Sequence, residues 1–233
     1  MKKLLCFAHR GASGHEPENT LSATEKAVVL GADWIEVDVY AVESELIVIH
    51  DERLERTTNG AGFVMDKTLE YLRSLDAGKG QRIPSLREVF DCVNYRAGIN
   101  VELKGPETAV LTVSLISEYI NKRGWNYDQF IVSSFNHREL TRVNKLDPHI
   151  RIGIVLGGIH RQYKKFASQV TTHSVHPRID LVNAEFVRSA HKRGLKVFVY
   201  TVNQSDDIAR LDAMGVDGIF TDFPELITER RRI

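Results

Sequence analysis

Two carboxylates interrupt the otherwise apolar run Trp34-Ile-Glu-Val-Asp-Val39. The run is too apolar and β-branched for a loop, and successive side chains of a strand point to opposite faces. Glu36 and Asp38 therefore share a face with Trp34, where a strand buried on both sides should carry apolar groups. Ionised groups there are costly unless something cationic meets them, and the run contains no Lys or Arg. The pattern predicts a metal site, against the alternatives of a hydrogen-bonded or salt-bridged buried pair or a strand with one solvated face.

Charged side chains also follow or close other apolar runs. His9 and Arg10 follow an apolar run near the N-terminus, and Glu102 and Lys104 close a later one. Glu102 would complete an oxygen-only ligand set, which suits Mg²⁺ or Ca²⁺, whereas zinc more often recruits His or Cys. A cation flanked by Arg and Lys is a site for an anion, most simply a phosphate.

His50 follows a second apolar run, Leu46–Ile49, that begins only a few residues after the first strand. The connection is too short for a parallel crossover, so the two runs should pair as an antiparallel hairpin. A turn centred on Glu43 and Ser44 would return His50 to the level of Asp38. A single His is most simply structural, but two beside charged strand ends favour general acid and base catalysis. The residues alone therefore indicate a metal-assisted phosphodiesterase.

Eight apolar runs, each followed by a helical pattern or a gap of helical length, predict a (β/α)8 TIM barrel. The predicted strands are Leu4–Ala8, Trp34–Val39, Gly98–Leu103, Phe130–Ser133, Arg151–Val155, Thr171–Val175, Leu195–Tyr200 and Gly218–Phe220. An open doubly wound sheet is the alternative, but no glycine-rich nucleotide fingerprint is present. One domain over residues 1–233 is expected, with a small turn-rich insertion at about residues 51–84 over the C-terminal face of the barrel.

Helical patterns follow several of these strands. A helix is expected from about Thr20 to Leu30, another after Asn183, and a last one opened by Pro224. Asn136 and Glu139 resemble the two members of a capping box at the start of a further helix.

The composition excludes some classes of protein. The chain has 31 basic and 31 acidic residues, so no nucleic-acid-binding surface is indicated. Cys6 and Cys92 match no metal spacing and are expected to be reduced thiols. The apolar N-terminal stretch is too short for a signal peptide, and no apolar run could span a bilayer. We therefore expect a cytoplasmic protein with no stable membrane association.

Short motifs in order across nearly the whole chain resemble those of the glycerophosphodiester phosphodiesterase family. They are His9-Arg-Gly11, Pro17-Glu-Asn-Thr20, Glu36-Val-Asp38, His50-Asp51, Arg56-Thr-Thr-Asn-Gly60, Leu75-Asp-Ala-Gly78, Ile83-Pro-Ser-Leu86, Glu102-Leu-Lys104, Ser134-Phe135, Thr201-Val-Asn203 and Gly218-Ile-Phe-Thr-Asp222. Each is short, but their combination is highly specific. The family fold is a (β/α)8 barrel with a small insertion after the second histidine, in agreement with the pattern of runs.

The resemblance implies hydrolysis of glycerophosphodiesters to glycerol 3-phosphate and an alcohol. It makes His9 and His50 the acid/base pair, and it implies one divalent cation, Mg²⁺ or Ca²⁺. The implied metal ligands are Glu36, Asp38 and Glu102, and the implied substrate-binding residues are Arg10, Lys104, Asn19, Phe135 and Tyr200. Tyr200 departs from the Trp often found in the family and is expected to alter a wall of the pocket. Glu43-Ser-Glu45 departs from the family's Asp-Gly and should affect only the turn.

Two alternative functions are left open. One is lysophospholipase D-type hydrolysis of lysophospholipids, and the other is a non-catalytic phosphodiester-binding barrel, which should have lost a histidine or a ligand. Soluble, deacylated glycerophosphodiesters are the expected substrates, because the sequence shows no basic patch or lipid-modification signal. The oligomeric state is also left open, with a homodimer as one alternative.

Overall fold

A closed ring of eight parallel strands forms the centre of the computed structural model, which describes residues 3–158 and 163–231. The strands are β1 (Leu5–Ala8), β2 (Trp34–Val42), β3 (Glu45–Val48), β4 (Gly98–Leu103), β5 (Phe130–Ser134), β6 (Arg151–Leu156), β7 (Thr172–Pro177), β8 (Lys196–Val199) and β9 (Gly218–Thr221). The hydrogen-bonded order is β1-β9-β8-β7-β6-β5-β4-β2, and a β1–β2 pairing closes the ring. Only β3 is antiparallel, at the edge of β2. The predicted (β/α)8 barrel is confirmed.

Helices separate the successive parallel strands. They are α1 (Leu21–Val29), α2 (Leu69–Ser74), α3 (Leu86–Val93), α4 (Thr108–Arg123), α5 (His137–Leu146), α6 (Tyr163–Ala167), α7 (Ala184–His191), α8 (Ser205–Ala213) and α9 (Glu225–Thr228). Thr20 and Asn183 cap α1 and α7 by accepting a hydrogen bond from a free helical N–H. The expected helices at these two sites and after Pro224 are therefore present. Among the described residues no helix is long and apolar enough to cross a membrane.

The sequence analysis missed one helix and was wrong about one capping box. Helix α3 was not predicted, although Ser85 and Glu88 form a complete capping box at its start. Asn136 does cap α5, but Glu139 does not return the reciprocal bond. Its carboxylate instead accepts a hydrogen bond at 3.0 Å from the backbone N–H of Ala109, in the first turn of α4. There it opposes the positive end of the α4 dipole, which is a tertiary interaction that local spacing does not reveal.

The two faces of β2 have different environments. Ile35 and Val37 point outward into the main core between the barrel and its helices. Trp34 points inward and joins the aromatic cluster that fills the barrel. Glu36 and Asp38 lie on the same inner face as Trp34, two and four residues nearer to the C-terminal end of the strand. The alternation read from the sequence thus directs both carboxylates into the barrel.

The hairpin of β2 and β3 sets the position of His50. The two turn residues, Glu43 and Ser44, have φ angles of 48° and 67°, as in a type I′ turn. The backbone N–H of Ile49 donates to the carbonyl of Asp38 at 3.0 Å. The next residue, His50, therefore lies beside the inner carboxylates, and the predicted hairpin and register are confirmed.

The segment between β3 and α3 packs through its own apolar cluster. In this cluster Leu54, Val64 and Leu72 pack with Tyr40 and Val42, on the face of the β2–β3 hairpin that continues the inner face of β2. The sulfur of Met65 lies 3.7 Å from where a Cβ on Gly105, just after β4, would be. The segment therefore reaches the end of the barrel where the parallel strands finish, and it contains one short helix, α2.

Replacing Ser44 with glycine should stabilise the protein. A left-handed conformation costs an L-residue about 1 kcal/mol, and glycine adopts it freely. We expect the free energy of unfolding to rise by about 0.5–1 kcal/mol, measured by urea denaturation with circular dichroism. Ser114→Gly, at an exposed position inside α4, is the control and should lose about that amount. A loss of stability in Ser44→Gly would refute the turn assignment.

Candidate active site

Three carboxylates converge at the C-terminal end of the barrel, Glu36 and Asp38 from β2 and Glu102 from β4. Asp38 and Glu102 are register partners, and one oxygen of each of the three lies within 4.8 Å of the others. Burial and mutual repulsion raise the pKa of Glu36 well above its ordinary value and also raise that of Glu102. A buried, oxygen-only set with excess negative charge fits a divalent cation such as Mg²⁺ or Ca²⁺.

Two basic side chains stand against this carboxylate cluster. Lys104 Nζ lies 3.0 Å from Glu102 and 3.7 Å from Asp38, and Arg10 Nε lies 3.5 Å from Asp38. Burial opposes their charge, but the neighbouring acids outweigh it and raise the pKa of both groups. Arg10 Nε is buried and has no hydrogen-bond partner within the described residues. It is a donor that a bound anion could use.

The loop after β1 orients these groups through its backbone. Arg10 has a φ of 57°, and its N–H donates to Glu36 at 2.8 Å. A Cβ on Gly11 would lie 2.6 Å from the backbone of α1, so only glycine fits there. Asn19 donates its backbone N–H to the Arg10 carbonyl at 2.9 Å and its side-chain amide to Asp38 at 3.0 Å. These hydrogen bonds therefore hold the loop after β1 against the two carboxylates of β2, Glu36 and Asp38.

His9 is held in place by Asp222, at the end of β9. His9 Nδ1 lies 2.7 Å from Asp222 Oδ1, which also accepts a hydrogen bond from Ser13 at 2.9 Å. Asn203 donates to the other carboxylate oxygen at 2.6 Å. Burial would raise the pKa of Asp222, but these bonds, with His9 foremost, overcome it and hold the pKa at about 2. With Nδ1 occupied, Nε2 is the His9 nitrogen that can exchange a proton with a ligand.

His50 is held by a longer chain of charged groups. Its Nδ1 lies 2.6 Å from Asp51, which accepts hydrogen bonds from Arg56 at 2.5 and 3.0 Å. Arg56 also donates to Glu18 at 2.7 and 2.8 Å, and Glu18 accepts from Arg10 at 2.7 Å. The hydrogen bond from Arg56 is the main cause that holds the pKa of Asp51 well below its usual range. The segment after β3 thus orients His50 and connects it to the anion-binding side.

These groups surround one cavity of about 170 Å³. Its lining includes nine of the ten side chains singled out in the sequence, namely His9, Arg10, Glu36, Asp38, His50, Glu102, Lys104, Phe135 and Tyr200. Asn19 lies behind Asp38 instead. Phe135, 49% exposed, meets Tyr200 edge to face at 6.3 Å between ring centroids. The Tyr200 hydroxyl donates to a backbone carbonyl at 3.0 Å, and burial raises its pKa to about 12. The two rings therefore form a neutral aromatic wall.

Sequence reasoning gave no role to three residues of this site. Asp51 and Asp222 were assigned no role, although each binds a histidine. The position of Asp222 at a strand end was an available signal, and so was the adjacency of Asp51 to His50. His176, which also lines the cavity, directly follows the predicted strand Thr171–Val175, a strand-end position like that of His9 that was not used.

A (β/α)8 barrel with this arrangement can carry out phosphoester chemistry. Two carboxylate-held imidazoles can move protons, and the neighbouring basic side chains of Arg10 and Lys104 can bind an anion. Comparison of the chain with known protein families and structures agrees with an enzyme of phosphoester chemistry. Residues 9–226 match the model of the glycerophosphoryl diester phosphodiesterase family.

Similar proteins extend the match over the whole chain. A glycerophosphodiester phosphodiesterase of Caldanaerobacter subterraneus subsp. tengcongensis is 40% identical, covering 97% of this chain and 96% of the relative. One from Bacillus subtilis is 35% identical, covering 96% of this chain and 85% of the relative. The structure of an Oleispira antarctica phosphodiesterase in complex with its product sn-glycerol-3-phosphate superposes with a TM-score of 0.89 at 29% identity, covering 98% of this chain and 97% of that one. The chain belongs to the glycerophosphodiester phosphodiesterase family, a family of phosphodiester hydrolases.

Asp222 should make a pH-dependent contribution to stability. Its folded-state pKa of about 2 lies below the ordinary value, so its charged form stabilises the fold above about pH 4, and this is lost as the pH falls toward 2. The free energy of unfolding of wild type should exceed that of Asp222→Asn by about 2 kcal/mol near pH 7, and the gap should shrink below pH 4.

Urea denaturation between pH 7 and pH 3 measures this difference. Asp206→Asn, at an exposed position in α8, is the control and should change stability by less than about 0.5 kcal/mol at any pH. A gap between wild type and Asp222→Asn that stays constant with pH would show that the carboxylate charge is not what His9 and Asn203 stabilise.

Proposed function

We propose that this protein hydrolyses glycerophosphodiesters to glycerol 3-phosphate and an alcohol, with one divalent cation and two histidines. The observation that carries the proposal is the buried cluster of Glu36, Asp38 and Glu102 in the same cavity as His9 and His50. The product bound in the Oleispira antarctica phosphodiesterase supports glycerol 3-phosphate as the product here.

The acidic cluster and the two basic side chains would bind the phosphate. Glu36, Asp38 and Glu102 would hold Mg²⁺ or Ca²⁺, which when bound supplies positive charge against the phosphate oxygens. Arg10 and Lys104 supply N–H donors on the same side, and their pKa values keep both charged. The negative charge that grows on the phosphate oxygens during the reaction is thereby stabilised.

The two histidines move the protons. One accepts the proton of the glycerol 2-hydroxyl at Nε2 while that oxygen attacks phosphorus, and the other donates a proton to the departing alcohol as its P–O bond breaks. With the roles exchanged, one histidine takes a proton from water, which attacks the cyclic phosphate, and the other protonates the released 2-oxygen. Asp222 and Asp51 orient the two imidazoles through Nδ1, which leaves Nε2 to move the protons. At His50 this Nε2 lies 3.2 Å from Lys104 Nζ, beside the group that would bind the phosphate.

Activity toward glycerophosphocholine tests the proposal directly. Release of glycerol 3-phosphate should occur with Mg²⁺ or Ca²⁺, stop in EDTA and return when the ion is restored. A non-catalytic barrel would show no turnover in any of these conditions. Turnover that persists in EDTA would refute the cation requirement, and efficient turnover of a substrate without the 2-hydroxyl would refute the cyclic route.

The acid/base roles predict large losses in two variants. His9→Ala and His50→Ala should each lower turnover by about 10²–10⁴-fold, the usual range for a general acid or base. Cation binding should be largely kept, because neither imidazole is a proposed ligand. His149→Ala, whose side chain is 73% exposed, is the control and should leave turnover unchanged. A variant of His9 or His50 with near-normal turnover would remove that residue from the mechanism.

The ligand roles predict a change in stabilisation by the cation. At saturating Mg²⁺ or Ca²⁺ the melting temperature of wild type should rise by roughly 5–10 °C. Glu36→Gln, Asp38→Asn and Glu102→Gln should each lose most of this rise, because each removes a ligand oxygen. Without the ion they should be at least as stable as wild type, because one of the repelling charges is gone.

Differential scanning fluorimetry with a series of ion concentrations makes this comparison. Glu185→Gln, at an exposed position in α7, is the control and should keep the full rise. Unchanged ion affinity in all three ligand variants would show that the cluster is not the cation site.

The surface near the cavity predicts a preference for deacylated substrates. The exposed rings of Phe63 and Tyr71 are each covered by a basic side chain, Arg53 at 4.8 Å and Lys67 at 5.4 Å from the ring centroids. These two rings therefore offer little bare apolar surface to an acyl chain.

We expect kcat/KM to be at least about tenfold higher for glycerophosphocholine than for lysophosphatidylcholine. Glycerophosphoethanolamine should be turned over about as well as glycerophosphocholine, because the alcohol half is loosely held. A clear preference for the acylated substrate would favour the lysophospholipase D function while leaving the metal site and both histidines in place.

A further inference from the structure

His176, on β7, forms part of the inner wall of the active-site cavity. It is 1% exposed, yet it lines the cavity together with Val155 and Phe220. Its ring centroid lies 5.4 Å from that of Phe198 and 5.1 Å from that of Phe220. The imidazole is therefore fixed between aromatic rings at the inner end of the cavity.

Only one of its two ring nitrogens has a protein partner. His176 Nε2 lies 2.8 Å from the hydroxyl of Ser174. This is the only hydrogen bond that the His176 side chain makes to residues 3–158 and 163–231, so Nδ1 has no partner among them. Burial, with a smaller contribution from His173, lowers the pKa of His176 to about 3, so the ring is uncharged at neutral pH. An uncharged imidazole can pair with a hydroxyl group, which both donates and accepts.

The barrel wall is shaped to make room for this ring. Gly153, on β6, is the register partner of Ser174, and a Cβ on it would lie 2.5 Å from His176 Cε1 and Nε2. The neighbouring strands continue a polar layer, in which Asn100 donates to Ser133 at 2.9 Å. Barrel interiors are usually filled by branched apolar side chains. The polar layer below the cavity is therefore a departure that accommodates His176.

We propose that His176 determines specificity for the glycerol unit by hydrogen-bonding its terminal hydroxyl through Nδ1. This inference rests on the proposed function. The carboxylates lie on β2 and β4 and the phosphate-binding Arg10 lies in the loop after β1, whereas His176 is on β7, across the barrel from β2. A glycerol with its phosphate and 2-hydroxyl on the first side has one hydroxyl left, and His176 offers that hydroxyl a polar partner at the inner wall.

A substrate that lacks only this hydroxyl tests the proposal. The comparison is kcat/KM for glycerophosphocholine against the phosphocholine ester of propane-1,2-diol, which keeps the hydroxyl next to the phosphate ester. Wild type should prefer the glycerol substrate by roughly 10–100-fold, since losing one buried hydrogen bond leaves a polar group unpaired.

Variants at His176 should change this preference and not the chemistry. His176→Phe should bring the ratio near one by lowering kcat/KM for the glycerol substrate, with less than about a threefold change for the other. The same result is expected for His176→Leu, whose smaller side chain serves as a check if the Phe ring disturbs packing. His176→Asn keeps an amide near the place of Nδ1 and should retain part of the preference. His173→Phe, on the same strand but outside the cavity lining, is the control and should keep it in full.

The outcomes separate this inference from the proposed function. A wild type that hydrolyses both substrates with equal kcat/KM overturns the role of His176 and leaves the proposed function intact. The same holds if His176→Phe and His176→Leu fold, judged by circular dichroism, and keep the wild-type ratio. A wild type that hydrolyses neither substrate overturns both.

Discussion

The confinement of three carboxylates inside the end of the barrel is the constraint on which the rest of the site depends. Glu36, Asp38 and Glu102 are drawn together by the register of β2 and β4, and their mutual repulsion must be offset. Arg10 and Lys104 provide two positive charges, so the cluster keeps excess negative charge that a divalent cation would neutralise. The left-handed turn at Arg10 and the glycine after it follow from the need to aim a backbone N–H at Glu36.

The proposed proton transfers also require that both histidines present the same nitrogen, Nε2. Each imidazole is bound at Nδ1 by a carboxylate, but the two supports come from different parts of the fold. Asp222 reaches His9 because β9 pairs with β1 where the barrel closes. Asp51 reaches His50 through the hairpin, and Arg56 of the following segment secures it. Closure of the barrel and packing of that segment thus both contribute to the reactive geometry.

The sequence predicted those features that local periodicity determines. Alternation along β2 placed both its carboxylates inside, and the length of the hairpin brought His50 to them. Partners that meet only through tertiary packing were not predicted. Asp222 is 213 positions from His9, and Glu139 binds the start of α4 instead of its own helix. His176 lies on β7, and only the closed barrel shows that its ring borders the cavity.

The central claim is that this carboxylate cluster exists to hold one divalent cation. Isothermal titration of Mg²⁺ or Ca²⁺ into EDTA-treated protein, repeated in two buffers of different ionisation enthalpy, gives both stoichiometry and proton release. Because the pKa values of Glu36 and Glu102 are raised without the ion, binding should displace protons wherever these carboxyls are protonated in the ion-free protein, so the release should grow along a series of decreasing pH values. We expect one ion per chain with this pH-dependent release. Absence of binding, or binding of one ion with no proton release at any pH of the series, would contradict the cation site.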